Sequence, residues 1–74
     1  MRYLVVVEEG LTSFGAYVPD LPGCIAAGAT KDEALALIRE AIELHIEDLK
    51  SGGLPIPRPS SVSEVVEVDR KSVV

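Results

Sequence analysis

Apolar and polar positions follow two different periods along this chain. Residues 2–9 place Tyr3, Leu4, Val5, Val6 and Val7 in succession, β-forming side chains on both faces of an extended segment, which predicts a strand. A strand that is apolar on both sides is normally covered on both. Glu8-Glu9-Gly10 opens a turn. Residues 13–18 predict a second strand, with Phe14, Ala16 and Val18 alternating with Ser13, Gly15 and Tyr17. Pro19-Asp20-Leu21-Pro22-Gly23 predicts a turn, because the two prolines fix φ and the glycine accepts positive φ. Residues 24–27 form a short third strand of small side chains. Short connections make these three strands an antiparallel meander.

The period then changes. Thr30 stands three residues before Glu33, the spacing of a capping box, and Asp32 adds negative charge to the first turn. The helix predicted from this start runs over residues 31–50 and stops at Gly52-Gly53. Its apolar residues, from Ala34 through Ile38, Ala41, Ile42 and Leu44 to Leu49, fill an arc of roughly 200°, wider than an ordinary amphipathic stripe. One sheet face does not need so wide a stripe, so a helix edge is free to meet another chain. Leu54-Pro55-Ile56-Pro57-Arg58-Pro59 is a stiff, extended connector, since each proline also restricts the residue before it. Residues 61–69, with Val62, Val65, Val66 and Val68, predict a fourth strand, and residues 70–74 a loose tail. The expected fold is α+β, in the order β-β-β-α-β: a partial ribonuclease H-like sheet with one helix packed on one face. A right-handed crossover sets the fourth strand parallel beside the first, in spatial order 3-2-1-4. Tyr3, Val5, Val7 and Leu44 are the expected oligomer face.

Composition narrows the functional classes. The 74 residues make a single domain over 1–74, with an ordered core over about 1–69. A chain this short buries only about 60% of its unfolded surface, which favours self-association into a dimer or tetramer. Twelve acidic against seven basic residues give a net charge of −5, the opposite of a nucleic-acid footprint. No apolar run approaches the roughly 20 residues that span a membrane, and no signal peptide opens the chain, so a cytoplasmic location is expected. The absence of Asn and Gln and the five prolines fit a heat-adapted source.

Candidate chemistry is sparse, and neither a cofactor nor a resident metal is expected. His45 is the only histidine and lies within the helix's apolar arc, where an imidazole packs its ring and bonds one neighbour. Cys24 has Asp20 as its nearby charge, unfavourable for a thiolate, and reads as a small buried hydrophobe. A two-metal nuclease would need an acidic residue within the central first strand, and residues 4–7 are Leu-Val-Val-Val. The six glycines form neither a GxGxxG nor a Walker A loop. Glu40, Glu43, Glu47 and Asp48, against Arg39 and Lys50, make the outer helix face either a solvated surface or a docking surface for a basic partner.

Several motifs occur together in order: Pro19-Asp20-Leu21-Pro22-Gly23-Cys24, Gly28-Ala29-Thr30, Glu33-Ala34, Glu40-Ala41-Ile42-Glu43-Leu44 and Ile56-Pro57-Arg58-Pro59-Ser60. Across about residues 1–69 the chain resembles the HicB-like antitoxins. The resemblance implies a partial ribonuclease H-like fold without nuclease chemistry. It also implies a partner, a HicA-like small basic toxin that cleaves mRNA, bound and inhibited by protein–protein contact. Many relatives carry a C-terminal DNA-binding domain that this single-domain chain is expected to lack. Leu37 stands where relatives often have Asn, and Ala29 where an acidic residue is common. Glu8, Asp20, Leu21 and Cys24 are the expected partner-binding residues, with Asp20 foremost. The alternatives are an orphan oligomeric protein that has kept the fold without a toxin, and a metal-dependent nuclease.

Overall fold

A computed structural model describes residues 1–69. Three strands, β1 (Val6–Glu9), β2 (Phe14–Tyr17) and β3 (Ile25–Gly28), precede one long helix, α1 (Lys31–Ser51). The sheet is an antiparallel meander in the order β1-β2-β3. Val6 pairs with Tyr17, and Tyr17 in turn with Ile25. β1 is shorter than its run of β-formers because its partner gives out. In the same register Leu4 would face Pro19, which has no N–H to donate.

The ends of α1 are built from local chemistry. Thr30 Oγ1 accepts the Glu33 N–H at 3.1 Å, and Glu33 Oε1 accepts the Ala29 N–H at 3.1 Å, one residue upstream of the usual capping-box reciprocity. At the other end the Leu54 N–H donates to the Leu49 carbonyl and the Gly53 N–H to the Lys50 carbonyl. That is a Schellman closure, and Gly53 supplies the positive φ of 67° it requires.

The core lies between the sheet and α1, and its fully buried members are Ala16, Val18, Leu21, Cys24, Ala34 and Ile38. Small residues let the layers approach closely: a Cβ added to Gly28 would stand 2.7 Å from the Ala34 nitrogen. The helix packs most closely on β3, less on β2 and least on β1. It therefore lies off-centre and leaves its flank beside β1 open.

Residues 61–69, expected as the fourth strand, form no strand. Val62, Val65, Val66 and Val68 are 81%, 96%, 78% and 64% exposed, so the β-forming side chains are present but not paired to the sheet. The loose tail expected over residues 70–74 falls outside the described residues.

Candidate protein-interaction site

The loop joining β2 to β3 consists of two consecutive turns. The Leu21 N–H donates to the Val18 carbonyl at 3.1 Å and the Cys24 N–H to the Leu21 carbonyl at 3.0 Å. Pro22 and Gly23 occupy the central positions of the second turn, and Gly23, at φ 83°, gives it the type II form. This winding turns Leu21 and Cys24 inward: both lie in the core, Leu21 with no exposed surface. Leu21 and Cys24, expected as partner contacts, are thus buried within the chain, and the turn presents Pro19, Pro22 and Gly23 outward. Burial pushes the Cys24 thiol up, which keeps it a packed, neutral group.

Asp20 is tied to the C-terminal segment. Its Oδ2 accepts the backbone N–H groups of Ser60 and Ser61, both at 2.9 Å. Its Oδ1 accepts the two serine hydroxyls, at 3.1 Å from Ser60 and 2.8 Å from Ser61. The Ser61 and Ser60 N–H groups, then the Ser61 hydroxyl and last the Ser60 hydroxyl, hold the carboxyl down from its ordinary 3.8 to about 2, against an opposing effect of burial. The residue expected to face a partner thus spends its lone pairs within the chain. Nothing adjacent in sequence pointed to Ser60 and Ser61, which lie 40 residues and more away.

The strand faces also differ from expectation. Tyr3, Val5 and Val7 pack against the core on the helix side, and Tyr3 and Val5 also line the open groove beside α1. Period-2 alternation turns Leu4 and Val6 to the opposite face, where cross-strand pairing lines Val6 up with Tyr17 and Ile25. Ile25 is 71% exposed, and Tyr17 is also exposed. Both faces of β1 are apolar, so the composition of residues 3–7 could not tell them apart. Leu44 does stand open, at 63% exposure, and Glu8 is exposed at the end of β1.

Two further surfaces are polar or mixed. Glu40, Glu43, Glu47 and Asp48 are exposed on α1, Glu43 and Glu47 at the rim of the groove described next, and His45 is half-buried. A groove of about 980 Å³ runs between the segment leading into β1 and α1, with Val5, Leu35, Ile42 and Ile46 among its apolar members and Arg2, Arg39, Lys50, Glu43 and Glu47 as its charged ones. Among the described residues, no three His, Cys, Asp or Glu side chains are grouped to hold a metal ion. Among them, too, no helix is long and apolar enough to cross a membrane.

Comparison with known proteins gives this geometry a family context. Residues 3–71 match the family model described as HicB_like antitoxin of bacterial toxin-antitoxin system. A UPF0150 protein of Thermoplasma acidophilum is 44% identical over 64 residues, covering 82% of this chain and 90% of that protein. Antitoxin HicB 2 of Photorhabdus laumondii is 36% identical over 73 residues, which are 92% of this chain and 50% of that one. Among solved structures, a chain of the HicA3 and HicB3 toxin-antitoxin complex superposes with a TM-score of 0.69 at 33% identity, covering 81% of this chain and 70% of that chain.

Proposed function

The chain belongs to the HicB-like antitoxins of bacterial toxin-antitoxin systems, and from that premise we propose that it binds a HicA-type toxin and inhibits it by protein–protein contact. The observation that carries the proposal is the likeness, at 33% identity, to a chain of a solved complex of HicA3 with HicB3. On this reading the protein performs no catalysis of its own and works in the cytoplasm, and its β-β-β-α body is the opening of a ribonuclease H-like sheet used as a binding scaffold.

The surface chemistry supports a basic partner. Glu8 and the helix carboxylates Glu40, Glu43 and Glu47 are all exposed, on a chain of net charge −5. Long-range attraction between such a surface and a cationic one accelerates encounter and fixes orientation, and salt screens it. Leu21 and Cys24 contribute to binding by holding the turn in shape, and Asp20 by fixing residues 60 and 61 beside it.

RNA cleavage by a HicA-type toxin from the same source, with this chain added in increasing ratio, tests the proposal. Cleavage should stop near equimolar chain, and Glu43→Lys with Glu47→Lys should raise the amount of chain required. Unimpeded cleavage in excess chain would refute the reading. A second reading, an oligomer working without a toxin, draws on the open apolar row of Val6, Tyr17 and Ile25. It expects no such inhibition and a stable dimer or tetramer in solution.

A further inference from the structure

Residues 61–68 carry the side chains of a strand and have no strand to pair with. Taken at period 2, Val62, Val66 and Val68 fall on one side with Glu64, while Ser61, Ser63, Val65 and Glu67 fall on the other. One side is mostly β-branched and apolar, the other mostly polar: the pattern of a strand with one buried face. All three valines of the apolar side stand largely in solvent.

The fold holds a matching vacancy. β1 is an edge strand of the sheet. The flank of α1 beside the segment leading into β1 is open, and the groove there is lined by Val5, Leu35, Ile42 and Ile46. Arg2, Arg39 and Lys50 also line that groove, against Glu43 and Glu47, so its charged rim is positive by one. Glu64 and Glu67 bring opposite charge on the segment. An apolar slot continuing from an unpaired backbone edge, with a mixed rim on which cations outnumber carboxylates, accepts an added strand that is valine-rich.

The root of the segment points it away from its own groove. The Tyr3 hydroxyl donates to the Pro57 carbonyl at the start of β1, and Asp20 then binds Ser60 and Ser61 at the turn between β2 and β3. The connector therefore leaves the groove at Tyr3 and steps across the end of the sheet to the turn between β2 and β3, which anchors residues 60 and 61 away from the groove. Alternating prolines stiffen the connector and resist a reversal. We propose that residues 61–68 of each chain add as a fourth strand to the β1 edge of a second copy, which returns its own segment in a two-fold exchange. The exchange leaves neither β1 edge unpaired and covers the apolar flanks of both helices. It proceeds without any toxin, so it can succeed or fail independently of the antitoxin reading.

Light scattering on the full chain and an isotope-filtered nuclear Overhauser experiment on a mixture of labelled and unlabelled chains test the proposal together. The expected results are a dimer and intermolecular contacts from the Val66 methyls to those of Val5 and Ile42. Val66→Lys, on a side chain already in solvent and so harmless to the monomer fold, should halve the mass at the same concentration. Val65→Lys, on the other side of the strand, should leave the dimer intact. A monomeric parent chain, contacts from Val66 arising only within one chain, or equal loss of the dimer in both variants would overturn the exchange.

Discussion

Asp20 shows how one carboxylate couples two distant parts of a short chain. Four hydrogen bonds from Ser60 and Ser61 favour its ionised form and set its folded pKa near 2, below the ordinary 3.8. A depressed carboxyl pKa contributes stability that is full above the unfolded value and disappears as pH falls through the folded one. The Ser60 and Ser61 amide resonances should therefore hold constant down to about pH 4 and shift cooperatively near pH 2, and Asp20→Asn should move them at neutral pH. A titration midpoint at the ordinary carboxylate value would contradict the four-bond cradle. Ile38 is the complementary case, a side chain 1% exposed at the centre of the core. Ile38→Ala should cost about 2–5 kcal/mol in urea unfolding. A domain of this length has a total stability of only about 4–11 kcal/mol, so the loss would be a large share of it. The sequence singled out Asp20 as a charged residue in a Pro-Gly turn, and that pattern equally describes an exposed contact. Its partners lie 40 residues and more along the chain, a separation that local periodicity does not register.

Elements whose stop and start signals lie within a few residues were legible. The helix ends within one residue of its expectation, because the Thr30–Glu33 cap and the Gly52-Gly53 closure are contained in short stretches of sequence. The three meander strands and their antiparallel order were also readable from alternation and turn residues. Which face of β1 meets the helix was not, because Tyr3, Leu4, Val5, Val6 and Val7 offer apolar groups to both. The fourth strand was legible as composition but not as pairing, since a strand forms only against an edge and β1 offers its edge outward. The contact between β3 and α1 makes a testable demand on this level. Gly28→Ala would bring a methyl within 2.7 Å of the Ala34 backbone nitrogen, so the two elements must separate. Thermal unfolding of that variant should occur well below that of the parent chain, while Gly15→Ala, with open space at its Cβ, should change it far less. Equal melting temperatures for both would show that the close approach is not needed.

At the scale of the whole molecule, size and surface argue for partners. The chain exposes 6130 Å², where a compact protein of 7.9 kDa exposes about 4,400 Å². Its radius of gyration is 15.3 Å, against about 11 Å for a compact chain of this length, because the valine-bearing C-terminal segment extends from the body. Surface of this kind is stabilised by being covered, and the chain presents three coverings of different character: an open sheet face, a groove beside β1 and an acidic outer helix. The first two suit copies of the same chain, and the third suits a cationic partner. The family assignment and the likeness to a chain of the HicA3–HicB3 complex make a toxin the partner to look for first. The most direct test is a pull-down of the tagged protein from its own source, with mass spectrometry of what elutes. A small basic chain of HicA type is expected at a stoichiometric ratio, released progressively as salt is raised. Recovery of the bait alone, from cells in which such a toxin is expressed, would contradict it.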